Sequence, residues 1–174
     1  MSDTLITIIA IFLAAILMFV FPLLSVSERT DDISQLAVQT ATSEFVNNAR
    51  TTGKITLDEY SAFVQTLAAT GNSYDIEMEV KHLDENIGKK SEWTNKQVIG
   101  ENVYYSVYTT QIEEKLDASN NYLMKEGDIF SVSVKNTNTT ISQTLRNFFY
   151  SMSGNNTYQV AAQSTGMVTG TGNI

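Results

Sequence analysis

The chain has 174 residues, a formal net charge of -8 and no cysteine. Without cysteine it can form no disulfide, no cysteine-based zinc site and no thiol nucleophile. The excess of acidic residues would repel nucleic-acid phosphates, so we expect no nucleic-acid partner. Once the apolar N-terminal segment is set aside, enough chain remains for one compact domain.

That N-terminal segment, 5–26, contains no charged side chain. As a helix it would be roughly 33 Å long at about 1.5 Å per residue, enough to cross the hydrocarbon core of a bilayer. No Lys or Arg precedes it, and it is longer than the core of a signal peptide, which favours an uncleaved anchor. We predict one transmembrane anchor over 1–27 in the cell membrane. The domain over 28–174 is rich in Asn, Thr and Ser, which favours an extracytoplasmic location.

Helical periodicity continues beyond the anchor. Apolar side chains recur every four residues and predict one buried face, made of Ile33, Ala37, Ala41 and Phe45 with Leu36, Val38 and Ala49 alongside. No Gly or Pro lies between Pro22 and Gly53, so the anchor and a stem over 28–52 should form one helix of about 45–50 residues. Asp31 and Asp32 beside the membrane either help to fix the topology or hydrate the stem, and we favour hydration.

The remaining chain mixes helix and strand patterns. Thr56 and Glu59 have capping-box spacing and predict a second helix that ends near Gly71. Apolar and polar residues alternate over 74–81 and 129–135, which predicts two half-buried strands.

Other segments give weaker patterns. We interpret 103–108 as a strand or the start of a helix, and we expect helices from Thr109 or Thr110 and from Thr139 or Thr140. The first of these has Glu113 three residues after Thr110. The other predicted segments are a loop over 83–102, a turn over 125–128, a last strand over 158–168 and a frayed tail over 169–174. The predicted fold class is α+β: a long N-terminal transmembrane-plus-stem helix, then a small antiparallel or mixed β-sheet packed with two or three helices.

Residues with reactive side chains form no recognisable catalytic pattern. The one histidine, His82, stands near Asp84 and Glu85, but a histidine without a second partner is more typical of a surface residue than of a general base or metal ligand. The sequence has no nucleophile elbow, no P-loop and no zinc motif. We therefore expect a protein that is not an enzyme and that holds no metal and no cofactor.

Aromatic side chains offer a candidate interaction surface. Trp93, Tyr104, Tyr105 and Tyr108 would either contact a partner or divide between the core and its rim. In the anchor, Ala10, Ala14 and Ala15 are small enough to let a second helix approach closely. Pro22 removes one backbone hydrogen bond near the end of the span, which predicts a bend.

An apolar N-terminal helix with a proline at this depth, an amphipathic stem and a small α+β head resemble the plan of pilin-like proteins. The head also resembles small proteins of tight-adherence (Tad-type) pilus or type IV pilus-related systems in Gram-positive bacteria. The segments that carry this second resemblance are 45–80, 125–136 and 161–172. The resemblance implies sister subunits, or other membrane proteins of such an apparatus, as partners, and it implies that the head lies outside the cell.

Two features distinguish this chain from the pilin pattern. No Gly precedes the apolar run, and Leu5 stands where a mature pilin has Glu. We therefore expect an anchored accessory subunit, a minor pilin or pseudopilin, that acts through helix packing and head–head contacts and is able to form homo-oligomers. The alternative is a tethered extracytoplasmic module that binds a ligand or senses a signal.

Overall fold

The computed structural model describes residues 2–83, 104–140, 143–144 and 161–172. Trp93, most of the predicted loop over 83–102 and most of the helix expected after Thr140 lie outside the described residues. Three helices and six strands are described, in the order α1 Ser2–Thr52, β1 Lys54–Thr56, α2 Leu57–Ala68, β2 Tyr74–Leu83, β3 Tyr104–Tyr108, α3 Thr109–Ser119, β4 Asn121–Leu123, β5 Ile129–Asn136 and β6 Ala161–Met167. The predicted α+β fold class is confirmed.

Helix α1 is a single helix of 51 residues, about 75 Å long at about 1.5 Å per residue. It continues without a break through Pro22 and across residue 27, the predicted end of the anchor. The prediction that anchor and stem form one helix is therefore confirmed. A bend at Pro22 remains a prediction.

The face through which the stem packs on the sheet matches the predicted one in part. Val38, Ala41, Phe45 and Ala49 are buried as predicted. Ile33 and Leu36 are 63 % and 65 % exposed. The buried positions recur every three or four residues and are Asp31, Ser34, Val38, Ala41, Thr42, Phe45, Val46 and Ala49. Small side chains such as Ser34 and Ala41 let the helix backbone approach strands β5 and β6, which α1 contacts. Ile33 and Leu36 are consequently turned outward.

The main sheet has four strands in the order β3-β2-β5-β6, and all its described pairs are antiparallel. One face carries the core, in which Met78, Val80, Phe130, Val132 and Val134 are at most 1 % exposed. Alternation along the strands places charged and polar side chains on the opposite face, among them Glu77, Glu79, Ser131, Ser133 and Gln163. We call this opposite face the open face.

The helix starts show which capping signals in the sequence are used. The amide of Glu59 donates to Thr56 Oγ1 (3.2 Å) and the amide of Thr56 donates to Glu59 Oε2 (3.1 Å), which confirms the predicted capping box. At α3 the pair of Thr110 and Glu113 is not used, because the helix begins one residue earlier, at Thr109. Of the two candidates for the next helix start, Thr140 is the cap, since its hydroxyl accepts from the Gln143 amide (3.3 Å).

Two short strands were missed by the sequence interpretation. Strand β1 follows α1 and pairs with β4 in a separate two-stranded sheet. Each strand has only three residues, too few to show an alternating pattern. Ile55 and Tyr122 face each other in this pair and are at most 1 % exposed, so the small sheet contributes to the core.

The chain after β6 was predicted to be frayed, and this is wrong as far as Gly172. The amides of Thr169 and Gly170 donate to the Arg50 carbonyl (2.9 and 3.1 Å), and the amide of Gly172 donates to the Met124 carbonyl (3.4 Å). Glycine permits this crossing, since a Cβ on Gly170 would overlap the carbonyl oxygen of Thr51. The segment 169–172, which we call the C-terminal clasp, fastens the end of α1.

A substitution at Gly170 tests whether the C-terminal clasp stabilises the fold. Replacing Gly170 with alanine should lower the free energy of unfolding by about 1–3 kcal/mol, because the added methyl group forces two backbones apart. Chemical unfolding of the full chain in detergent would measure the change. Thr171→Ala, at the exposed neighbouring position, is the matched control and should stay close to the parent. Equal stability of the two variants would contradict the clasp.

Candidate functional site

The first half of α1 is the largest apolar surface in the described part of the chain. Every residue from Asp3 to Phe19 is exposed, and Met18 and Phe19 are 75 % and 74 % exposed. By length and composition, the helix spanning Asp3–Thr52 is able to cross a membrane. Burying each large apolar side chain contributes about 1.5–3 kcal/mol, so this half of the helix strongly favours lipid or other helices over water.

Helix geometry separates the three alanines of the anchor. At about 100° per residue, Ala10 and Ala14 lie about 40° apart on one face, whereas Ala15 lies about 100° further round. Phe12 is on the opposite side from Ala10 and Ala14 at the same depth. The pair of Ala10 and Ala14 thus forms the flatter strip against which a second helix could pack, and the packing role of all three alanines stays a prediction.

The first buried residue of α1 is Asp31, which is 9 % exposed. Its Oδ2 accepts a hydrogen bond from Thr140 Oγ1 (2.9 Å). The Thr140 hydroxyl that donates to Asp31 also accepts from the Gln143 amide. Asp31 is buried and therefore does not hydrate the stem, whereas Asp32 is exposed as expected of a hydrated side chain. A role of these residues in topology stays a prediction. The free half and the packed half of α1 meet here.

His82 is not a surface residue, contrary to the sequence interpretation. Its side chain is 14 % exposed, and its Nδ1 lies 2.7 Å from Oδ2 of Asp128, which is 2 % exposed. Its Nε2 lies 2.6 Å from the hydroxyl of Tyr122, and Tyr122 is 1 % exposed. We call these three side chains the His82 network.

Proton positions in the His82 network follow from its surroundings. Asp128 also accepts hydrogen bonds from the amides of Leu83 (3.1 Å) and Lys125 (2.8 Å). Burial raises the pKa of the Tyr122 phenol, and Tyr105 and Asp128 raise it further, so the phenol stays protonated. Because a carboxylate only accepts, His82 Nδ1 is the donor to Asp128, and His82 Nε2 and the Tyr122 hydroxyl share the second hydrogen bond.

Strand register is the signal that could have found this network. Lys81 faces Ile129 across β2 and β5, so the next residue of one strand and the preceding residue of the other, His82 and Asp128, are also neighbours. The predicted turn over 125–128 is confirmed, with the Asp128 amide donating to the Lys125 carbonyl (3.1 Å). The network joins β2, β4 and this turn, which is a stabilising role.

Strand β3 divides the predicted aromatic surface between two faces. Tyr105 faces His82 across the strands, and their ring centroids are 5.2 Å apart. Tyr104 and Tyr108 lie on the open face, because they are paired with Leu83 and Glu79. The structure thus brings Tyr104 and Tyr108 onto one surface and Tyr105 onto the other. A partner role for these tyrosines stays a prediction.

Comparison with known proteins gives no relative from which a function could be transferred. No protein-family model, no curated protein and no solved structure matches this chain. A function for this chain is therefore inferred from the geometry of the described residues.

A substitution at Asp128 tests whether the His82 network stabilises the fold. Asp128→Ala should lower the free energy of unfolding by about 3 kcal/mol, because it leaves buried donors without an acceptor. Denaturant unfolding of the full chain in detergent would measure it. Glu126→Ala, an exposed acidic residue in the same turn, should change stability by less than about 0.5 kcal/mol. Equal free energies of unfolding for the two variants would show that the His82 network does not stabilise the fold.

Proposed function

We propose that this protein is a membrane-anchored structural subunit of pilin-like type, a minor pilin or pseudopilin in a pilus or secretion apparatus. One observation carries the proposal: a single helix is exposed and apolar over its first half and built into the core of a head over its second half. The first half would pack in the bilayer with sister helices, and the heads would contact one another outside the cell.

Because α1 is unbroken, the packing of its N-terminal half would determine the positions of the heads. Val38, Val46 and Ala49 of α1 are at most 2 % exposed in the core, so the head cannot rotate about the helix without losing this packing. A membrane that holds the N-terminal halves at one depth would align the helices of neighbouring copies. The spacing between packed helices would then set the spacing between heads.

The apolar surface continues from the end of the predicted anchor into the stem. Val26, Ile33 and Leu36 are 65 %, 63 % and 65 % exposed. They lie within about 80° of one another at about 100° per residue, on the side of α1 away from the buried positions. This strip supports contact with a second helix at the membrane surface, where lipid tails no longer cover it.

Cysteine cross-linking in membranes tests helix packing, because the chain has no cysteine of its own. Ala14→Cys should form disulfide-linked dimers under mild oxidation in the bilayer, since a small-residue face lets two backbones approach. Phe12→Cys, on the opposite side at the same depth, is the matched control and should cross-link several times more slowly. Equal rates for the two positions would contradict packing through the alanine face.

Membrane location and orientation need a separate experiment. The parent protein should stay in the membrane pellet after alkaline carbonate extraction, because the helix is held by apolar burial and not by charge. A Glu126→Cys variant should react with a membrane-impermeant maleimide on intact cells. Its matched control is Ser2→Cys, at the predicted cytoplasmic end, which should react only after lysis. Release by carbonate, or labelling of Ser2→Cys alone on intact cells, would contradict the proposed topology.

Participation in an apparatus is tested on the cell that makes the protein. Deleting its gene should reduce surface appendages or export, and the protein should be found in appendages sheared from the surface. Normal piliation and export in the deletion, with none of the protein in the sheared material, would contradict the proposal.

A further inference from the structure

The open face of the sheet contains a shallow depression of about 570 Å³ at the point where β3 passes into α3. Most of the residues that line it are polar, and Met78 and Val132 line it as well. The lining residues that offer hydrogen-bonding or aromatic groups on the open face include Glu77, Glu79, Tyr108, Ser131, Ser133 and Gln163. The structural role proposed above uses none of them.

These side chains form two parallel rows. Glu77 faces Ser133 across β2 and β5, and Ser133 faces Gln163 across β5 and β6. The second row lies two residues along β2 and runs from Tyr108 through Glu79 to Ser131. Neighbouring strands are about 4.8 Å apart, and successive side chains on one face of a strand are about 6.8 Å apart. The result is a grid of hydrogen-bonding groups on the scale of one sugar ring.

The two carboxylates are held in position by neighbours outside the rows. Ser106 Oγ donates to Glu79 Oε1 (2.7 Å), and Lys135 Nζ donates to Glu77 Oε2 (3.0 Å). Within the described part of the chain, Ser131, Ser133 and Gln163 have no such partner. Their hydroxyl and amide groups can therefore donate to and accept from a ligand without breaking a bond in the protein.

Tyr108 supplies an aromatic wall at one end of the depression. It is 60 % exposed, and it is the only aromatic residue that lines the depression among the residues described. The face of a phenol ring carries partial negative charge and attracts the weakly positive C–H groups of an apolar surface. Saccharides combine such C–H faces with hydroxyl groups on their edges.

We propose that this depression binds a saccharide, an uncharged or N-acetylated oligosaccharide, with one sugar ring against Tyr108 and its hydroxyls on the carboxylate, serine and glutamine rows. Each carboxylate is already paired with a lysine, Glu77 with Lys135 (3.0 Å) and Glu79 with Lys81 (3.7 Å), so the site favours an uncharged ligand. A wholly apolar ligand is disfavoured because it would cover the serine and glutamine groups without offering them hydrogen bonds. The inference does not depend on the proposed structural role, and either can fail without the other.

Saturation-transfer NMR with the full chain in detergent tests the inference. The probes are maltotriose, cellotriose and the trisaccharide of N-acetylglucosamine. At least one should bind with a Kd of about 1 mM or tighter, as expected for a shallow site with several hydrogen bonds. Tyr108→Ala and Gln163→Ala should each weaken binding about tenfold, equivalent to about 1.4 kcal/mol.

Tyr105→Ala is the matched control, since Tyr105 is on the same strand, is 54 % exposed and faces the other side of the sheet. It should bind the probe as the parent does, and unfolding curves would confirm that the variants are folded. Failure of all three trisaccharides to bind would overturn the inference. So would equal weakening by Tyr105→Ala and Tyr108→Ala, or binding of Ca²⁺ at Glu77 and Glu79 that the trisaccharides do not compete with.

Discussion

The packing of Phe45 on the sheet and on α2 is the interaction on which the rest of the structure depends. Its ring stacks on Phe63 with centroids 4.5 Å apart, and it meets Phe130 edge-on at 5.9 Å. Three elements, α1, α2 and β5, are joined at this one side chain. Because Phe45 belongs to the helix that carries the apolar N-terminal half, the same contact joins the head to the predicted anchor. Losing it would loosen the attachment of the head to the helix that carries the apolar half.

Several backbone contacts fix the C-terminal end of α1. The C-terminal clasp bonds to the last turn through the Arg50 carbonyl, and Gly53 at φ 70° turns the chain directly into β1. At the other end of the stem, Asp31 bonds to the cap of the next helix. The stem is therefore attached at both ends and along its buried face. Such attachment suits a subunit whose helix and head must keep a fixed relation, and the same rigid sheet presents the polar depression on its open face.

Local sequence patterns predicted the elements of this fold well, for identifiable reasons. The capping box at Thr56 and Glu59 and the alternation in β2 and β5 depend on neighbours a few residues apart, which a sequence displays directly. The orientation of the stem was harder. Apolar residues occur on more than one side of it, and the head covers Val38, Ala41, Phe45 and Ala49 but leaves Ile33 and Leu36 exposed.

The candidate sites depended on long-range pairing. His82 and Asp128 are far apart in sequence, and only the register of β2 and β5 brings them together. The same register places Glu77, Ser133 and Gln163 in one row. The clasp was missed because glycine-rich sequence is typical of frayed ends, and nothing local shows that Gly170 crosses the backbone of α1. Function was least accessible, because helix packing and shallow binding surfaces require no fixed motif.

We propose that one unbroken helix joins a half embedded in the bilayer to a packed head. Pulsed electron paramagnetic resonance in lipid bilayers would test it most directly, with nitroxide labels on cysteines placed at Ala14 and Thr40, both exposed on α1. A continuous helix predicts a narrow distance distribution near about 39 Å, at about 1.5 Å per residue. A broad distribution, or one centred well below that distance, would show that the helix breaks between membrane and head and would contradict the account.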